Sequence, residues 1–176
     1  MIGNTSNEIP CDAVTGLRDW KTFFRDVERK IAGGIRAHVI FIQLLQLKRV
    51  NRKYGLQVGD RLLEDIGEYL EKLEEGYIAY RTNNSRFMLL GPECSQEKAD
   101  VLLGRIRERF EDIWPIAQNG ERHEVLAKAY FIHFFLEPKD TENDLLEKIN
   151  HAASVFRLRE RKGILFFNEE LNADML

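Results

Sequence analysis

The run AHVIFIQLL at 37–45 constrains the fold more than any other stretch of this chain, because seven of its nine residues are apolar and they do not alternate with polar ones. A strand with one wet face alternates, whereas a strand apolar at nearly every position is covered on both faces. The sheet therefore needs helices on both sides, and the flanking sequence supplies them. Residues 17–31 place Trp20, Phe23, Phe24 and Val27 at three- and four-residue steps and stop at AGG, which predicts an amphipathic helix. A short helix is expected around 48–53, then YGLQVGD as a break. RLLEDIGEYLEKLEE follows as a helix whose stripe is Leu62, Leu63, Ile66, Tyr69, Leu70 and Leu73. YIAYR and RFMLLG read as two strands of a tight hairpin closed at Asn83 and Asn84, since asparagine tolerates positive φ better than most residues. Further on, QEKADVLLGRIRERFEDIW predicts a helix ended by Pro115 and EVLAKAYFIHFFL one long strand. DTENDLLEKINHAASVFRLRER predicts a helix capped by Asp140 or Thr141, and GILFF a last strand. This order implies an α+β fold with a mixed, ferredoxin-like central sheet surrounded by helices.

With 176 residues and neither linker nor repeat, the chain is expected to form one domain, with 1–11 as an extension, 12–168 as the core and 169–176 as a tail. A net charge of −3 gives no general attraction to nucleic acid or to an anionic membrane. No apolar stretch reaches the ~18 residues of a membrane span, and the first residues lack the pattern of a signal peptide, so a cytoplasmic location is expected. Cys11 and Cys94 have no metal-ligand spacing and are expected to be reduced. His38, His123, His133 and His151 are scattered, so no zinc site is expected.

Two motifs carry a resemblance. DAVTGLRDWKTF at 12–23 is similar to D-x-L-T-G-L-x-N-R-x-x-F, and LKRVNRKYGLQVGDRLL at 47–63 to F-K-x-I-N-D-x-Y-G-H-x-x-G-D-x-x-L. In the second, Lys48, Asn51, Tyr54, Gly55, Gly59 and Asp60 fall at the right spacing without a gap. Nearly the whole chain thus resembles the GGDEF family, the diguanylate cyclases that join two GTP molecules into cyclic di-GMP on a nucleotidyl-cyclase-like fold. Where the family hairpin reads R-Y-G-G-D/E-E-F, this chain reads Arg81, Thr82, Asn83, Asn84, Ser85, Arg86, Phe87. The glycines that let the backbone lie close to a nucleotide are replaced by Asn83 and Asn84.

The resemblance also places the expected chemistry. Joining a 3′-hydroxyl to an α-phosphate requires divalent metal held by carboxylates. The family takes these from D-x-D at the strand end and from the hairpin acids, positions occupied here by Gln43, Leu45, Ser85 and Arg86. Arg86 adds a cation where the metal would sit. Two unit charges ~4 Å apart at an effective dielectric of ~20 interact by about 4 kcal/mol. No catalytic residue and no metal are therefore assigned, and magnesium is not expected to bind in the family mode. Only the backbone carbonyl of Leu44 remains from the family's metal ligands, and on it rests the alternative of a residual or altered cyclase.

The guanine-reading positions are kept. The resemblance gives Asn51 and Asp60 hydrogen bonds to the guanine edge, an amide offering donor and acceptor and a carboxylate accepting from N1 and N2. Lys48, beside the start of the short helix, is the expected phosphate contact, with Asn83 and Asn84 against the nucleotide and Arg86 as a possible phosphate fork. A second reading makes Asn51 a turn cap and Asp60 the cap of a helix starting at Arg61. The R-x-x-D product-inhibition motif is replaced by EEGY at 74–77, whose Glu74 and Glu75 are expected to repel a dianion. Near the C-terminus Arg159, Arg161 or Lys162 stand near the family's phosphate-facing lysine. The expectation is a catalytically inactive signalling domain, a regulatory or protein-interaction module, with a guanine nucleotide as possible ligand, a protein partner and a possible homodimer. Because about ten residues precede the opening motif, either a fragment of a longer protein or a partner in trans is expected.

Overall fold

The computed structural model describes residues 9–161 and 170–172. Its central sheet has the order β2-β3-β1-β6-β7. β1 (Ala37–Leu45) is buried along its whole length and pairs antiparallel with β3 (Arg86–Pro92) and with β6 (Lys128–Leu136). β2 (Ile78–Asn83) extends the sheet beyond β3, and β7 (Glu170–Asn172) joins β6 in parallel, which makes the sheet mixed.

The two faces of β1 explain its composition. Ile40, Ile42 and Leu44 point into a core built with α3 (Leu56–Glu71), α4 (Gln96–Glu111) and a two-stranded ribbon of β4 (Ile113–Gln118) and β5 (Glu121–Leu126). Val39 and Phe41 point into a second core with α1 (Trp20–Ala32) and α5 (Glu142–Arg161). Alternate residues thus serve two apolar layers, which leaves little room for polar ones.

Three expectations about breaks and turns need correction. First, the break before α3 is Gly55 alone, at φ 94, where a residue with a Cβ would be strained; α3 already runs from Leu56, so Asp60 lies inside it and cannot be its cap. Second, the hairpin turn is Asn84-Ser85, because Asn83 pairs with Arg86, and neither asparagine adopts positive φ. Third, Pro115 does not end α4. It lies within β4, opposite Glu124, and the chain returns through Asn119 and Gly120, both at positive φ, as an Asn-Gly hairpin turn requires. The stretch read as one long strand is consequently β5 and β6, divided at Ala127. At the start of α5, Thr141 is the cap, its Oγ1 accepting from the Asp144 N–H at 3.2 Å. α1 begins three residues later than expected because Asp19 accepts from the Thr22 N–H at 2.8 Å and caps it. The strand expected at GILFF and the basic position Lys162 lie outside the described residues, as do the side chains of Arg159 and Arg161.

Candidate functional site

The β1–α2 junction gathers the residues singled out by the motifs. β1 ends at Leu45, Gln46 turns the chain at φ 61, and α2 (Leu47–Tyr54) begins with no side chain capping its amides. Lys48 is exposed in the first turn of that helix.

One cluster lies where β1 meets the hairpin. Gln43 stands opposite Arg86 in the strand register, and the Leu44 N–H donates to the Ser85 carbonyl at 2.7 Å. The Gln43 amide, only 8% exposed, donates through Nε2 to Ser85 Oγ at 2.7 Å and to the Ser85 carbonyl at 3.2 Å. Its Oε1 accepts from Arg86 Nε at 3.2 Å, and the Arg86 guanidinium lies over the Phe41 ring, 4.7 Å from its centroid. Leu45, opposite Lys128, brings no polar side-chain atom. Among the described residues no three histidine, cysteine or acidic side chains gather in a way that could hold a metal ion.

The hairpin tip is tied down by its own polar groups. Asn83 Oδ1 accepts from the Ser85 N–H at 3.1 Å, and Arg81 donates to the Asn84 carbonyl at 2.9 Å. The other arm of Arg81 reaches Asp12 Oδ1 at 2.7 Å, in the opening motif. The Thr15 N–H and hydroxyl bind the same oxygen at 2.9 Å. Burial, the largest influence on Asp12, pushes its carboxyl up, but the hydrogen bonds from Thr15 and Arg81 together hold it below the ordinary carboxylate value. Sequence reasoning gave this pair no role; an acid at the head of the first motif and an arginine at the head of the hairpin were its only signal.

A second cluster lies between α2 and α3. Asn51 Oδ1 is buried and accepts no hydrogen bond. It rests against the bare Cα of Gly59, where an added Cβ would come within 1.8 Å of it. Asp60, the next residue, is exposed. Neither side chain caps a helix, so the capping reading of both is overturned. A buried amide oxygen without a donor costs ~1–3 kcal/mol.

In the acidic stretch at 74–75, Glu74 is engaged by Arg105 at 2.8 Å and by Lys98 at 3.5 Å, and Glu75 is exposed.

Sequence comparison accords with this geometry. The family described as "Diguanylate cyclase, GGDEF domain" matches residues 10–162. The chain belongs to the GGDEF family. It is 26% identical over 168 residues to the cyclic di-GMP phosphodiesterase NbdA of Pseudomonas aeruginosa, covering 91% of this chain and 21% of NbdA. It spans less than a third of the length of the curated relatives it matches. Among solved structures, the GGDEF domain of DgcB from Caulobacter crescentus, in complex with c-di-GMP, superposes with a TM-score of 0.73 at 17% identity, covering 98% of both chains. The diguanylate cyclase SiaD, in complex with its activator SiaC from Pseudomonas aeruginosa, superposes with a TM-score of 0.72 at 21% identity, covering 92% of this chain and 61% of that one.

Proposed function

We propose that this GGDEF domain makes no cyclic di-GMP and works in cyclic di-GMP signalling as a regulatory module that contacts a partner protein and holds a guanine nucleotide without metal. The observation that carries the reading is the Gln43–Ser85–Arg86 cluster, in which hydrogen bonds among neutral and cationic side chains fill the corner where the family holds magnesium. Magnesium does not fit there. Gln43 spends its amide on Ser85 and Arg86, Leu45 has no ligand atom, and the guanidinium repels a dication.

Guanine binding rests on Asn51. Its Oδ1 has almost no accessible surface where it rests on Gly59, so it meets the N–H edge of a guanine after the amide turns outward, beside the exposed Asp60 carboxylate as a second acceptor. Lys48 and the uncapped amides at the start of α2 are suited to phosphate, and the family resemblance sets Asn83 and Asn84 of the hairpin against the nucleotide. A partner role has precedent in SiaD, which is held by an activator protein. The stretch that this chain matches in NbdA lies within a protein named for cyclic di-GMP phosphodiesterase activity. Isothermal titration with GTP and GDP, with and without magnesium, tests the nucleotide arm. Binding of equal strength in both conditions is expected, and absence of heat at hundreds of micromolar nucleotide, or binding only with magnesium, contradicts it.

A further inference from the structure

On the flank of α2 away from Asn51 runs a groove with no assigned role. One cavity of about 390 Å³ lies between Arg49, Val50, Lys53 and Tyr54 of α2 and the Glu124–Leu126 end of β5, with Leu45 and Lys128 also lining it. A second, of about 410 Å³, continues past Tyr54 along Leu56 and Gln57 to Glu121 and His123 at the other end of β5. Tyr54 lines both, its ring 5.5 Å from that of His123 between centroids, so the two cavities lie toward opposite ends of the strand on either side of that contact.

Among the described residues, β5 pairs only with β4, so its far edge carries no strand. Gln118 and Glu121 flank the two-residue turn and form the first hydrogen-bonded pair. Alternation then turns the backbone N–H and C=O of Arg122, Glu124 and Leu126 to the open side. Pro115, which has no N–H to give, sits opposite Glu124, as this alternation allows. Leu126 and Leu56, 46% and 69% exposed, offer apolar surface at either end.

We propose that this groove receives an extended, acidic segment of a partner protein, which adds to β5 as a third strand of the β4–β5 ribbon. The charge selects the occupant. Arg49 and Lys53 line the half beside Leu126 with the single carboxylate of Glu124, while Leu45, Val50 and Val125 give that half an apolar floor. A strand alternating acidic and aliphatic side chains satisfies both surfaces, its carboxylates at the cations and its aliphatic groups on the floor.

The test uses the full chain and a fluorescein-labelled octapeptide alternating glutamate and valine, with a lysine–valine octapeptide as counterpart. Anisotropy is expected to show saturable binding of the acidic peptide only, weakening as salt rises. Hydrogen exchange is expected to slow at Glu121–Leu126 in its presence. Arg49→Glu with Lys53→Glu, both at exposed positions, is expected to lower the affinity about tenfold or more. Absence of binding at millimolar peptide overturns the proposal, as do equal binding of the two peptides, unchanged affinity in the charge-reversed variant, protection away from β5, or occlusion of that edge by a second copy of the chain.

Discussion

Gly59 leaves room for the Asn51 amide: a Cβ at 59 would stand 1.8 Å from Oδ1, inside the contact distance of any two unbonded atoms. Gly59→Ala is expected to destabilise the fold by ~1–3 kcal/mol through this overlap and to displace the amide from its pocket. Asn51→Ala removes an unpartnered buried acceptor, so the nucleotide-free protein is expected to be as stable as the parent or more so, while GTP affinity falls about tenfold. In the double variant the overlap is gone and alanine regains ~1 kcal/mol of helix propensity over glycine, so it should be more stable than Asn51→Ala alone. Urea unfolding of the four proteins, with titration of GTP into each, checks the cycle.

Asp12 and Arg81 clamp the opening turn to the hairpin. The Asp12 carboxyl is held below its ordinary value in the folded chain, so the unfolded state takes up the proton first as pH falls. The stability it contributes is present above about pH 4 and is lost as the pH drops through the folded value. Asp12→Asn is expected to flatten this part of the acid-stability curve and to cost ~3 kcal/mol at pH 7, because the 8%-exposed Arg81 loses its counter-charge. Denaturant midpoints measured from pH 7 to pH 3 test both statements.

His38 titrates in the opposite chemical sense with the same outward sign. It is fully buried, with Nδ1 2.8 Å from the Tyr77 hydroxyl and Nε2 3.1 Å from His133 Nδ1. Burial, then the neighbouring His133 and Arg36, push it down to about 3, so it stays neutral in the folded protein where the unfolded chain is already protonated. Stability is therefore complete above the unfolded value near pH 6.5 and declines below it, by at most ~1.4 kcal/mol per pH unit for this one proton. His38→Gln keeps polar partners for Tyr77 and His133 and should reduce the slope between pH 6.5 and 5. An unchanged slope in calorimetric or urea unfolding would rule out His38 as its source.

Much of the architecture was legible in the sequence because the doubly buried strand 37–45 admits few environments, and the motif spacing around Lys48, Asn51 and Gly55 fixed the residues of the β1–α2 junction. Gln43, Ser85 and Arg86 were identified one by one, yet their mutual hydrogen bonds depend on strand register, which the spacing alone does not give. The β4–β5 ribbon escaped because Trp114 and Pro115 continue the apolar pattern of α4, and the Asn119-Gly120 signal went unused. Asp60 passed for a cap because Gly55 and Gly59 together resemble a loop, while a single glycine at φ 94 was enough to end one helix and start the next. Asn51 showed its unusual state only in three dimensions, since an unpartnered oxygen is a property of its neighbours.

The proposal that the Gln43–Ser85–Arg86 cluster abolishes cyclase chemistry is tested most directly by incubating the purified chain with GTP and either magnesium or manganese and detecting dinucleotides by mass spectrometry. No linear or cyclic dinucleotide above a heat-inactivated control is expected at any time point. Accumulation of cyclic di-GMP that depends on the metal and on protein concentration would contradict it.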